Sequence, residues 1–136
     1  MIKYNLLFLL ALSFVFLSCE SKRQKLYKEV MAIHDEVMPM IPDIRKNKAK
    51  MAEMIKTASE AKDTVNQIKC EKAYYLLNQA DEAMFGWMAQ FGEHNPDESV
   101  ADKEALKILN EQKESAKRMR DLMLRNVKEA GELMEN

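Results

Sequence analysis

Apolar residues recur along the chain in steps of three and four, with one step of seven: Leu26, Val30, Ile33, Val37, Ile41, Ile44, Met51, Ile55 and Ala58. That spacing draws a single buried stripe on a helix. Pro39 and Pro42 interrupt it, because proline lacks the backbone donor and crowds the preceding turn. The stripe nevertheless keeps its phase across both prolines. Arg45, Lys46, Lys48 and Lys50 would also sit badly in the first turns of a new helix, where the dipole disfavours cations, and Asp43 offsets little of that. The pattern predicts one helix over about 22–61, kinked at Pro39 and Pro42, with a full break as the alternative.

A second stripe passes through Val65, Ile68, Ala73, Leu77, Ala80, Met84, Trp87 and Phe91. Thr64 and Gln67 have capping-box spacing before it, and Gly92 stands as a C-cap after it. The turn-forming run Gly92–Asp97 follows, and then Ser99 with Asp102 as a further capping signal. Leu106, Leu109, Ala116, Met119, Met123, Val127, Ala130 and Leu133 mark the inner face of the last helix, with Glu114–Arg118 and Asp121–Arg125 as i,i+4 pairs outside. No strand pattern competes. The predicted fold class is all-α: an elongated antiparallel three-helix bundle with helices about 22–61, 65–91 and 99–133, or four helices if the prolines break the first. At ~1.5 Å per residue the longest helices exceed ~50 Å, so the bundle is a rod.

Residues 1–19 follow a different logic. Lys3 supplies a positive charge, an almost wholly apolar run extends from Leu6 to Leu17, and Ser18-Cys19 closes it. This is the layout of a secretory signal. Its cysteine ending predicts a lipoprotein signal peptide over residues 1–18, with Cys19 lipidated as the first residue of the mature chain. The run falls short of the roughly 20 apolar residues of a membrane span. It is apolar all round, unlike a core helix with one buried face. Lys22, Arg23 and Lys25 would lie beside the anchor and favour anionic headgroups. The run Glu20-Ser21-Lys22-Arg23 is not acidic, so the expected location is the cell or outer membrane, lipid-anchored and periplasm-facing. Only Glu20 and Ser21 would form the tether, and residues 22–136 the bundle.

Charge and cysteine content narrow the partners. The chain carries 21 Lys and Arg against 22 Asp and Glu, and loss of Lys3 with the signal tips the balance further towards acid. Nucleic acid would want a clear basic excess. The basic residues of the last helix (Lys113, Lys117, Arg118, Arg120, Arg125 and Lys128) are interleaved with acids and read as a solvated face. With Cys19 committed to lipid, Cys70 has no intramolecular disulfide partner and reads as a small buried residue.

Catalytic signatures are missing: no Gly-rich phosphate loop, no Glu-x-x-His, no nucleophile elbow. The chain is expected not to be an enzyme. His34-Asp35-Glu36 is a polar trio whose members point about 100° apart on a helix and cannot converge on one ligand. One constellation remains. A hairpin turning near residue 63 brings His34, Met38, Met84, Trp87, Met88 and His94 towards one end of the rod. Thioether and imidazole suit Cu(I), and a Trp beside Met and His resembles periplasmic copper carriers in which an indole caps the ion. The candidate copper ligands are His34, Met38, Met88 and His94. Against them stands the commoner role of methionine as a core filler, under which the chain carries no cofactor. A second candidate is an apolar interaction patch of Phe85, Trp87, Met88 and Phe91, exposed unless the kinked first helix wraps it. Gly86 within it would admit a close neighbour.

The segments Tyr27-Lys28-Glu29-Val30-Met31-Ala32-Ile33-His34-Asp35-Glu36-Val37-Met38-Pro39 and Ala80-Asp81-Glu82-Ala83-Met84-Phe85-Gly86-Trp87-Met88-Ala89-Gln90-Phe91 carry a resemblance. Through them the chain resembles small helical lipoproteins of Bacteroidota that bear the label "viral A-type inclusion protein", a name that implies no viral role. The resemblance covers the whole mature chain and implies lipoprotein character and a helical fold, with no activity attached. The expected function is a membrane-anchored, non-enzymatic structural or protein-interaction module of the cell envelope, with an envelope protein as partner. A periplasmic copper-binding protein is the alternative.

Overall fold

Residues 20–135 are described by the structure, a computed structural model, so the signal-like segment 1–18 and Cys19 lie outside the described residues. Four helices follow in order: α1 Lys22–Val37, α2 Ile41–Glu60, α3 Thr64–His94 and α4 Asp102–Glu135. A 3-10 turn, Met38–Met40, joins α1 to α2 without a gap. The fold is an all-α antiparallel bundle of three rods, the first kinked. Among the described residues there is no strand, and no helix is long and apolar enough to cross a membrane.

The kink has a local cause. Pro39 falls in the 3-10 turn, and Pro42 falls in the first turn of α2, where a missing N–H costs nothing. Val37 takes up the bend at φ −111°, ψ −16°. Val37, Ile41 and Ile44 stay buried on both sides of it, as the unbroken stripe requires. The kink also changes the rod's neighbour. The α2 backbone packs on α3, whereas the α1 backbone lies against α4. There Glu29 meets Lys113 at 2.6 Å and Glu36 meets Arg120 at 3.5 Å. Both partners advance by one heptad, so α1 and α4 run parallel, with α3 antiparallel between them.

Between α2 and α3 the chain reverses in three residues. Lys62 adopts the left-handed conformation at φ 58°. Its N–H bonds to Ser59 O, and the Asp63 N–H bonds to Ala58 O at 2.8 Å, the pattern of a Schellman C-cap. Asp63 then caps α3, accepting from Asn66 N–H at 3.1 Å. The expected Thr64–Gln67 box is therefore replaced by Asp63, whose carboxylate accepts more strongly than a hydroxyl. A box appears instead at Ser21 and Gln24, which bond reciprocally and start α1. Gly92 stays helical and α3 runs on to His94. Ser99 bonds Asp97 rather than opening α4, which begins at Asp102 with Ala101 O accepting its first bonds. Glu114 pairs with Lys117 and Asp121 with Arg120, not with the residues one turn on.

Val30, Val37, Ile44, Met51, Leu77, Met84, Leu109 and Met123 are the large side chains at the centre of the core. The α3 stripe is set by Cys70, Ala73, Leu76, Leu77, Ala80, Met84, Trp87 and Phe91. Val65 and Ile68 fall outside that phase and are 78% and 61% exposed. Asn126 is a buried polar residue in α4, donating to Leu76 O and to Gln79 Oε1 and so fixing the α3–α4 register.

Candidate functional site

Tyr27 and His34 project from α1, and Trp87 and Phe91 project from α3, to form a ladder of rings at the N-terminal end of the rod. Tyr27 meets Phe91 at 5.8 Å, Phe91 stacks on Trp87 at 5.0 Å, and Trp87 stacks on His34 at 5.7 Å between centroids. Large rings are what let α1 reach α3 after the kink has carried its backbone towards α4. Trp87 and Phe91 are buried, so the expected exposed patch of Phe85, Trp87, Met88 and Phe91 does not form. Phe85 and Met88 stay partly exposed on the other side of α3, and the Arg45 guanidinium lies 4.7 Å over the Phe85 ring. A Cβ on Gly86 would meet nothing within 4 Å, so this glycine admits no close neighbour.

His34 is buried, and its Nδ1 lies 2.8 Å from Asp35 Oδ1. Adjacency on a helix excludes a shared ligand for the trio His34-Asp35-Glu36, but it does not keep this carboxylate from the ring edge. A carboxylate accepts, so Nδ1 is the nitrogen that donates to Asp35, and in the neutral tautomer this leaves the lone pair on Nε2. His34 Nε2 and Trp87 Nε1 are both buried without a hydrogen-bond partner. The structure separates Met88 and His94 from this pair. Met88 follows Trp87 directly and so points about 100° away from it, into partial exposure. His94 is exposed, bonds Gln90 O at 2.9 Å, and sits about 10 Å further along α3 at ~1.5 Å per residue. The expected set of His34, Met38, Met88 and His94 is thus not brought together. Among the described residues, no three His, Cys, Asp or Glu side chains are placed to hold a metal.

The same end carries a rigid junction. Arg23 Nη2 donates to Pro96 O at 2.6 Å and to Asp97 O, and Nη1 donates to Val100 O at 3.3 Å. One guanidinium thus ties the first turn of α1 to the loop before α4. Asp97 is held below its usual pKa by hydrogen bonds from the Ser99 side chain and backbone. An open cleft of about 850 Å³ lies beside this clamp, with Tyr27 and Leu109 as apolar wall and Gln24, Lys28 and Glu98 as polar rim. These polar groups do not converge on a point where chemistry would occur. Towards the opposite end, Val65, Ile68 and Tyr75 are exposed along one side of α3, Tyr75 at 59%, with the exposed Glu71 and Lys72 between Ile68 and Tyr75.

Sequence reasoning missed Arg23, Asp35 and these exposed side chains. Arg23 acts across a long separation in the chain, which no local pattern encodes. Val65 and Ile68 read as core only when the stripe is counted forward from Val65; the steps back from Phe91 through Trp87, Met84, Ala80 and Ala73 exclude them. No family model matches the chain, and no curated protein or solved structure matches it.

Proposed function

We propose that this protein is a lipid-anchored, non-enzymatic module of the bacterial cell envelope that holds a partner-binding surface away from the membrane. The observation that carries this reading is the junction at its head. Ser21 and Gln24 cap α1 two residues after Cys19, and Arg23 clamps the same turn to the α3–α4 loop. A lipid on Cys19 would therefore connect to the bundle through almost no slack. The resemblance to small helical lipoproteins supports the anchor. The interaction surface shifts from the Trp87 end, where the rings serve packing, to Val65, Ile68 and Tyr75 near the distal turn. Exposed large apolar side chains gathered on one helix face mark a partner site.

Metabolic labelling with a fatty acid tests the anchor: label is expected on the wild-type chain and absent from Cys19→Ala, and equal labelling overturns the anchor. A photo-crosslinking residue placed at Ile68 is expected to yield a discrete adduct with an envelope protein in intact cells. The same residue at Glu53, on the exposed face of α2, should yield none. Equal patterns from the two positions would overturn the distal surface.

A further inference from the structure

His34 Nε2 and Trp87 Nε1 are the buried side-chain nitrogens and oxygens left without a hydrogen-bond partner among the described residues, and they belong to two rings stacked on each other. Leaving such groups unmatched is unfavourable, and most proteins avoid it. The imidazole is also aimed. Asp35 Oδ1 lies 2.8 Å from Nδ1, which favours the tautomer protonated there and leaves Nε2, buried and unpartnered, as the acceptor. A carboxylate on one ring nitrogen is the arrangement that orients a histidine for a metal on the other.

Register supplies the remaining donors. The Met38 N–H still bonds to His34 O, so α-helical spacing persists to Met38 and places it one turn on from His34 on the same face. On α3, Met84 precedes Trp87 by three residues, also on one face, and is fully buried. His34 against Trp87 sets the antiparallel level of α1 and α3, and one turn on it brings Met38 level with Met84. Both belong to the same apolar cluster, Met84 inside it and Met38 partly buried at its edge.

We infer that His34 Nε2, with the Met38 and Met84 thioethers beside the Trp87 indole, forms a binding site for a soft monovalent cation of the Cu(I) or Ag(I) class. A neutral imidazole and two thioethers are donors that such ions prefer. The indole face adds attraction for a cation. Carboxylate- or thiolate-rich clusters, which Ca2+ or structural Zn2+ would want, do not occur among the described residues. Met38 provides the route of entry because it alone of these four side chains is not buried. Met88 and His94 take no part.

Trp87 is the chain's 1 tryptophan, so its emission reports on this site alone. The full-length chain in detergent is titrated with Ag(I), and with Cu(I) anaerobically against a competing chelator. Cys70 also attracts soft ions, but it lies about 25 Å from Trp87 along α3 at ~1.5 Å per residue and does not quench it. The expected result is quenching of Trp87 by one equivalent, with a Kd below about 1 μM. Met38→Leu and Met84→Leu conserve volume, and each is expected to weaken binding about tenfold or more while far-UV circular dichroism stays unchanged. Met88→Leu and His94→Gln should bind as wild type. Absence of quenching at about 10 μM free ion, or equal quenching in Met38→Leu and Met84→Leu, would mean that the two nitrogens serve packing and internal water only, and would overturn the site.

Discussion

Asp81 shows how single side chains hold α2 to α3. It meets Lys48 at 2.9 Å and Arg45 at 3.3 Å, with its side chain 15% exposed. Burial pushes its carboxyl upward, but the hydrogen bonds and charges of Lys48 and Arg45 outweigh that and hold it below its ordinary 3.8. A carboxylate with a lower pKa folded than unfolded stabilises the fold above its unfolded value. That stabilisation disappears as pH falls through the folded value. Asp81→Asn is therefore expected to lose roughly 1–2 kcal/mol at pH 7. Its thermal unfolding should converge with wild type as the pH falls below the ordinary carboxylate value and through the lowered folded one. Equal melting temperatures at pH 7 would mean that Arg45 over Phe85 and Lys48 near Tyr74 already secure the two helices. Residue-scale detail of this kind was the least legible in the sequence. Asp81 is one acid among 22 Asp and Glu, and nothing local marks it as paired across helices. Asn126 was likewise invisible: its amide satisfies Leu76 O and Gln79 on another helix, and a polarity pattern places such a residue outside.

Among the elements, the first rod was the most legible and also the most consequential. Its stripe keeps phase through Pro39 and Pro42 because the 3-10 segment is one short turn, and Val37, Ile41 and Ile44 stay in the core on both sides of it. What the stripe could not reveal is that the bend passes the rod from α4, against which α1 lies, to α3, on which α2 packs, since phase reports which face is buried and not what buries it. Helix ends were read less well for a related reason. Several residues near each end can accept an N–H: Asp63 rather than Thr64 caps α3, and Ser99 bonds Asp97 while α4 opens later, at Asp102. The prolines themselves can be tested. In Pro39→Ala/Pro42→Ala the missing donors return and α1 can continue straight into α2. That would lift α1 from α4, parting Glu29 from Lys113 and Glu36 from Arg120, and repack Tyr27 and His34 on Trp87 and Phe91. Far-UV circular dichroism should be kept or strengthened, while the Trp87 emission maximum shifts as the rings around the indole repack. An unshifted spectrum would show that packing against α4, rather than proline, sets the bend.

At the scale of the whole molecule, the junction at the head and the exposed apolar side chains near the distal turn give the rod a direction. From Lys22 to Glu60 the first rod runs through roughly 57 Å of helix at ~1.5 Å per residue. Under the proposed anchoring, a tether of Glu20 and Ser21 has too little chain to let that rod swing freely, and the Arg23 clamp stiffens the loop that would lie beside the lipid. The rod then stands on its head, with Val65 and Ile68 several Debye lengths, at ~8 Å each in physiological salt, from the charged headgroups. Partner choice at these side chains would be insensitive to lipid composition. Spin labels on Glu98→Cys, in the head loop, and on Ser59→Cys, near the distal turn, discriminate the geometries in vesicles bearing a lipid-chelated Ni(II) relaxant. Cys70 is buried and does not compete for label. An upright rod gives strong relaxation at residue 98 and almost none at 59. Comparable relaxation at both would mean that the rod lies along the membrane, and the distal apolar side chains would then meet lipid before they met any protein.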